Sequence, residues 1–567
     1  MSIVIFPKYS NIFPDVPLPN PEYLLADIPS RLVIGILSYI NGRLYINDAI
    51  KEQEHLFNLL IARLEEAEFN SIRTNYIQFV ASYSREDIYI FPLYTLLQII
   101  EWEVTHYRRI SFTDSTAEQE LKVLQTILVF NELLDISHIK KGPDVDKNEI
   151  LIKLIWENSL QQLEFTRRKL FFNQFLMGID FIKYLEANYH SHLESYLGYL
   201  GISQKEDIFR GIFELLVNGY NKEDQSYRFS FPVSILKKNR LLEQFVLDLE
   251  NLNTQEYIDS GNHMYFKGLR KFPLLKHDNE TFDVVNWNFV SDKMTTNALI
   301  FDFYYNSTIK DEMRFDDYRS EIGLKFSEKN YLVTFLRNTF NSSNYIHLTS
   351  EDNEAITSDY YLRLDNKIII IEYKDYIMAD AIKHSNYNQI KEYIDVNFIR
   401  SKKGKPKGVT QLITQIDKLD KEYNIIEDFI EIGLDKSRLI IFPVIITKDF
   451  SFTVNGLNHY LNEHFKSEIR KKKYPFFLIE DLIIVDLKRL MDWAEDLESD
   501  KLSLPSLLNN YLLKLSFYKE VTKRAGGRKY VLDSIASFNH LMIKNETKNI
   551  TETKVFQEIQ GHLKLNR

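Results

Sequence analysis

The sequence predicts an α/β core, with a mixed central sheet flanked by helices, carrying a large and mostly α-helical N-terminal domain. Three observations lead there. Up to about residue 250 apolar residues recur at helical spacing, as in Leu56, Leu59, Leu60 and Leu64. From about Tyr265 the texture changes to short apolar runs broken by Asp, Asn and Pro, as in FPLLKHDNETFDVVNWNFV. Strand-like and helical patterns then alternate through LRLDNKIIIIEYKD, RLIIFPVIIT and PFFLIEDLIIVDL. The expected domains are 1–264 (helical), 265–490 (α/β) and 491–567 (a helical C-terminal tail).

Composition narrows the classes. The 567 residues are 44% hydrophobic and 26% charged, ordinary for a globular chain, and none is cysteine. Disulfides, cysteine-ligated zinc, iron–sulfur clusters and thiol nucleophiles are thereby excluded. MSIVIFPKYSNIFPDVP lacks the basic segment and long apolar run of a signal peptide, and the longest apolar run, Leu439 to Ile446, is too short for a membrane span. A soluble, cytoplasmic protein without a membrane partner is expected. Net charge is −10, yet residues 291–567 hold 41 basic and 41 acidic residues against 29 and 39 in 1–290. Phosphate binding depends on local patches, so the C-terminal half stays open to a polyanion.

In chain order, a Pro-rich leader (Pro7, Pro14, Pro17, Pro19, Pro21) precedes a helix over Asn47 to Phe69. Ser115-x-x-Glu118 reads as a capping box before LKVLQTILVFNELL. Helices follow at Glu149 to Trp156, Leu160 to Glu186, Asp207 to Val217 and Pro232 to Leu249, with no repeat of fixed period. Such a domain suits partner binding, sensing or oligomerisation. His190 and His192 are two apart, so on a helix they point in different directions, and zinc is set aside.

In the α/β part, FPLLKHDNETFDVVNWNFV reads as strand, turn and strand. Glu321 to Phe340 forms a helix with the stripe Leu324, Leu332, Phe335, Leu336 and Phe340, on which Glu328 falls. A buried acid is costly, so Glu328 either points across the sheet to charged partners or snorkels to water at the helix edge. Glu321, on the same side two turns earlier, is the alternative. Thr357 to Asp375 reads as a hairpin with Asp365-Asn366 as its two-residue loop, since both tolerate positive φ. Leu364 then faces Lys367 and Asp359 faces Glu372, with Lys374 on the same face. Opposed carboxylates repel unless a cation lies between them.

Asp375 is expected to cap a helix running through Ala381 and Ile390 to Phe398. RSKKGKPKG follows, with Arg400, Lys402, Lys403, Lys405 and Lys407, either a flexible basic arm on a nucleic-acid backbone or a solvated loop. The next helix turns Val409, Leu412, Ile413, Ile416 and Leu419 inward and sets Gln411 and Gln415 beside them. After the strand RLIIFPVIIT come a helix over Asn455 to Ile469 and the strand-like PFFLIEDLIIVDL. Pro505 then restarts a helical tail. Arg470 to Lys473 and the loop KRAGGRKY (Lys523, Arg524, Arg528, Lys529) add two basic clusters.

Asp359, then twelve residues, then Glu372-Tyr373-Lys374 resembles the PD-(D/E)xK superfamily of restriction-endonuclease-like nucleases. The resemblance spans roughly Ile322 to Asp486 and departs from the motif in Ser358, where the Pro would stand. Asp486-Leu487-Lys488 repeats the acid-x-Lys pattern after LIIV, but its upstream acids Glu480 and Asp481 are too close to sit on a separate paired strand. The resemblance implies divalent-metal-dependent hydrolysis of phosphodiesters, of DNA before RNA. Asp359 and Glu372 would ligate Mg²⁺ or Mn²⁺, with the Tyr373 carbonyl as a further ligand. Lys374 would orient the water or the scissile phosphate. Glu328, in GLKFSEKNYL, matches the glutamate of the family's first helix, and Gln411 the glutamine on the helix after the motif strand. A large helical domain joined to such a nuclease is similar to effectors of bacterial restriction or phage defence. The rivals are a ribonuclease, and a non-catalytic scaffold with a degenerate nuclease fold that binds nucleic acid or protein.

Overall fold

A computed structural model describes residues 6–46, 50–82, 88–111, 114–138, 151–153, 155–157, 160, 169–221, 230–238, 240–525, 532–542 and 554–564. Asn47, Glu149, residues 161–168, Arg528 and Lys529, all named above, lie outside them. The chain forms two compact units, one of residues 2–144, 165–309 and 550–567, the other of 145–164 and 310–549.

The first unit is mainly helical, with its longer helices at Ser30–Ile46, Ile50–Ile61, Glu66–Ala81, Leu93–Thr105, Ala117–His138, Lys169–Asn188 and Asp207–Asn221. The stretch expected as one helix to Phe69 is two, broken after Ile61. The capping box also sits one residue later than the sequence suggests. Thr116 Oγ1 accepts the N–H of Gln119 at 3.2 Å and Gln119 Oε1 accepts that of Thr116 at 3.1 Å, while Ser115 Oγ donates to Glu120. His190 pairs with Glu194 at 3.4 Å and His192 with Thr308 at 2.8 Å, as divergent directions require.

Four short strands belong to this unit: β1 (Ser230–Pro232), β2 (Val246–Asp248), β3 (Leu274–Lys276) and β4 (Thr281–Val284), in the order β1-β4-β3-β2. The hairpin β3–β4 is the expected strand, turn and strand. Its neighbours are β1 and β2, and where the sequence suggests one helix over 232–249 the described residues between them hold the short helices Ser234–Lys238 and Arg240–Glu243. Because β4 pairs with β1 and β3 with β2, the strands of 265–290 go with the helical unit. The main run of the α/β unit accordingly begins at Lys310, rather than at 265, with residues 145–164 added to it from earlier in the chain.

The α/β unit is built on a mixed six-stranded sheet: β5 (Tyr345–Leu348), β6 (Tyr360–Leu364), β7 (Lys367–Lys374), β8 (Ile440–Thr447), β9 (Leu478–Ile479) and β10 (Ile483–Asp486). The order is β10-β8-β7-β6-β5, with β9 beside β8. β7, β8 and β10 run parallel, β6 is antiparallel to β7, and β5 is antiparallel to β6. Ile368 to Ile371 and Ile441 to Ile446 are buried throughout, as strands covered on both faces must be. Helix Gly408–Lys421 lies in the crossover from β7 to β8 and buries Val409, Leu412, Gln415, Ile416 and Leu419. Asp375 caps no helix. The chain instead makes the turn Asp380–Lys383, and Asn386 with Gln389 caps Tyr387–Phe398.

The segment expected as a tail divides. Helix Leu504–Ala525 belongs to the α/β unit, where Tyr511 Oη donates to Ala536 O at 2.9 Å. Helix Lys554–His562 belongs to the helical unit, where Lys564 pairs with Glu206 at 2.9 Å.

The shifted capping box is testable. Thr116→Ala should cost about 1 kcal/mol, the usual worth of a cap, and lower the urea midpoint, whereas Glu118→Ala should move it less. The reverse order would put the cap back on Ser115 and Glu118.

Candidate active site

The site is assembled by one turn. Asp365 adopts φ +52°, and Leu364 pairs with Lys367 as the two-residue loop demands. The ladder continues to Tyr360 opposite Ile371, which leaves Asp359 just beyond β6 beside the last three residues of β7. Asp359 Oδ2 accepts the N–H of Tyr373 at 2.6 Å, so it takes over the strand-end donor that β6 no longer meets. In an extended strand a residue's N–H and C=O point to the same side, so the Tyr373 carbonyl also faces Asp359. On the other side Lys374 O accepts the N–H of Lys448, beyond the end of β8.

Glu372 is fully buried. Its Oε2 accepts from Lys374 Nζ at 2.9 Å, and among the described residues its Oε1 has no hydrogen-bond partner. Lys374 Nζ also donates to Gln411 Oε1 at 3.1 Å, so the glutamine singled out in the sequence reaches the motif lysine. Gly408 allows the approach: a Cβ there would stand 3.0 Å from Phe398 O and 3.4 Å from Lys374 Cε. Gln415, one turn on, is buried and does something else. Its Oε1 accepts from Thr357 N, Thr357 Oγ1 and Ser358 N at 2.6, 2.7 and 3.3 Å, fastening the segment that leads into Asp359.

Glu328 is half-buried and feels the charges of Asp359 and Lys374. Its helix is not a regular α-helix. Gly323–Leu332 forms a π-helix, in which the N–H of Val333 reaches back five residues to Glu328 O. Burial follows that wider spacing through Ile322, Ser327, Leu332 and Leu336, and Leu324, placed on the stripe by α-helical counting, is exposed. Glu328 therefore borders the stripe. Glu321, the alternative, is tied to Lys325 at 2.7 Å.

Burial pushes the Glu372 carboxyl up to about 8 and that of Glu328 up to about 7, the second also raised by Asp359. Asp359 too is raised by burial, against the pull of Lys374. Burial alone would lower the Lys374 ammonium, but Glu372 and Asp359 outweigh it and hold it up. The side-chain oxygens of Asp359 and Glu372 and the Tyr373 carbonyl are hard donors that fit Mg²⁺ or Mn²⁺. Among the described residues no group of three acidic or histidine side chains surrounds a single point.

The residues around the motif go beyond what it marks. Asp375 is half-buried; it accepts from Arg319 at 2.9 Å and forms an ion pair with Lys448 at 2.9 Å. Asp486, from the repeated acid-x-Lys pattern, ends β10 in register with Thr447, itself in register with Lys374. It is fully buried, among the described residues both its carboxylate oxygens are unpartnered, and burial pushes it up to about 6. The signal available in the sequence was a charge directly after each apolar strand: Lys374-Asp375, Lys448-Asp449 and Asp486.

The basic loop folds back on itself as a short hairpin turn. Arg400 pairs across to Pro406, Ser401 N donates to Lys405 O, and Gly404 turns the tip at φ +74°. Lys402, Lys403 and Lys405 are exposed, Lys402 lying 3.5 Å from Glu392. Lys407 is half-buried and donates to Tyr376 Oη at 3.0 Å.

Comparison of the chain with models of known families, with curated proteins and with solved structures finds no match. The resemblance to PD-(D/E)xK nucleases rests on the residues of this site.

The raised carboxyls predict a pH dependence. An unfolded glutamate releases its proton near 4.5, whereas folded Glu372 keeps it to about 8. The stability linked to that proton is complete below 4.5 and is lost as pH rises through about 8. In EDTA the melting temperature should therefore fall across this window, and Glu372→Gln should flatten the fall. A profile that is flat in the wild type would contradict the desolvated site.

Proposed function

We propose that the α/β unit is a divalent-metal-dependent nuclease that hydrolyses phosphodiester bonds, of DNA before RNA. The observation that carries this reading is the meeting of Asp359, Glu372, Lys374, Glu328 and Gln411 at the carboxyl end of β7, with an oxygen of buried Glu372 left unpartnered. Asp359, Glu372 and the Tyr373 carbonyl would hold Mg²⁺ or Mn²⁺. Such an ion supplies a water of lowered pKa and positive charge beside the phosphoryl oxygens.

The chain's own groups do the rest. Lys374, held by Glu372 and Gln411, presents a fixed ammonium to the scissile phosphate or the attacking water. Its three donors leave one for substrate after those two bonds. Glu328, with a carboxyl near neutrality, can take or give a proton at the same strand end. Exposed Lys403 and Lys405 and the run Arg470 to Lys473 offer positive charge to phosphates on the same unit.

The rival reading is a non-catalytic scaffold with a degenerate nuclease fold. Metal binding separates the two readings. Glu372→Ala and Lys374→Ala should each abolish Mg²⁺-dependent cleavage of plasmid, linear or single-stranded DNA while keeping the far-UV circular dichroism. Mg²⁺ should raise the melting temperature of the wild type more than that of Asp359→Asn. Cleavage by both alanine variants together with equal metal-induced shifts would sink the assignment.

The loop makes a separate forecast. Neutralising Lys402, Lys403 and Lys405 should weaken DNA binding and make its salt dependence shallower, by up to about 0.9 in log–log slope for each phosphate that the loop no longer neutralises. Lys407, engaged with Tyr376, should contribute least, and an unchanged slope would make the loop a solvated hairpin only.

A further inference from the structure

The sheet's carboxyl edge holds a second ionic cluster that the proposed chemistry does not use. Lys448 is buried; its Nζ forms an ion pair with Asp375 Oδ1 at 2.9 Å and donates to Ser327 Oγ at 3.2 Å. Asp375 Oδ2 and its main-chain oxygen both accept from Arg319, each at 2.9 Å. Asp375 Oδ2 also lies 3.4 Å from where a Cβ would stand on Gly323, the first residue of the π-helix. The backbone N–H of Lys448 meets Lys374 O at 3.1 Å. One connected set of groups thus joins the end of β7, the end of β8, the helix Phe315–Ile322 and the π-helix next to Glu328.

This arrangement answers a physical question. A π-helix of ten residues is rare, and helices revert to α geometry unless their surroundings hold them otherwise. Glu328 directly follows Ser327, so whatever fixes Ser327 fixes the direction in which Glu328 leaves the helix. The clamp is costly, since it buries a lysine whose ammonium is pulled down to about 8 by desolvation despite Asp375. Apolar residues of similar volume would fill the same space at less cost.

We propose that Lys448 is a positioning residue: with Asp375 and Arg319 it grips the π-helix at Ser327 and so aims the Glu328 carboxylate at the end of β7. The functional part of this inference rests on the nuclease reading. Lys448 itself touches no reacting atom.

The test pairs a structural with a kinetic readout on the full chain. Hydrogen exchange by mass spectrometry should show faster exchange at 323–332 in Lys448→Met and unchanged exchange at 367–374. In Mg²⁺-dependent cleavage Lys448→Met should lose kcat by ~10- to 100-fold with KM for DNA unchanged, the scale of a misplaced group. The double variant with Glu328→Gln should be no slower than Glu328→Gln alone, because both act through one carboxylate. Ser327→Ala removes a single hydrogen bond and leaves the ion pair; it should show the same pattern more weakly, and decides the matter if Lys448→Met does not fold. Unchanged exchange at 323–332, or losses that multiply in the double variant, would overturn the proposal. If the wild type cleaves no nucleic acid, the nuclease reading fails, and exchange at 323–332 still decides whether the clamp exists.

Discussion

The register of one hairpin governs the α/β unit. Side chains alternate along a strand, so a slip of one residue between β6 and β7 would exchange the isoleucines between the two covered faces of the sheet and carry Glu372 and Lys374 to the opposite face. Asp365 in the left-handed region prevents that slip by fixing the loop at two residues. With the register held, Asp359 falls beside Tyr373, and the acids and the lysine meet without any further long-range arrangement.

The sheet's two ends differ in kind. Along most of their length β7, β8 and β10 are aliphatic, but their carboxyl ends carry charges on both faces: Glu372 and Lys374 on one, Asp375 and Lys448 on the other, with Asp486 in register two strands away. In open sheets with parallel strands this is the end where ligands bind. Grouping the charges there leaves the apolar interior intact and confines the desolvation cost to one edge.

Local and periodic signals were legible in the sequence. The hairpin, its loop and its register follow from Asp365-Asn366 and the isoleucine run. Gln411 follows from its place on the helix after the motif. What escaped depends on partners distant in sequence. Nothing near Ser327 announces a π-helix, because its cause lies with Asp375 and Lys448, far along the chain. Val246–Asp248 reads as helix until β3 pairs with it. Spacing along the chain sets Asp486 aside, yet the sheet brings it into the row of Lys374 and Thr447.

The interleaving of the two units bears on how the protein emerges from the ribosome. Residues 145–164 belong with a unit whose remainder begins at Lys310; there the Trp156 ring lies near those of Tyr387 and Tyr460, and Glu157 accepts the N–H of Tyr387. The helical unit in turn waits for Lys554–His562 at the far end, which packs with Lys169–Asn188. The helical unit is interrupted by residues 145–164 and needs 550–567, so it cannot be finished before the α/β unit has been made, and the usual order of an N-terminal domain finishing before the next one starts is closed to this chain. Translation must instead hold two partly built cores at once.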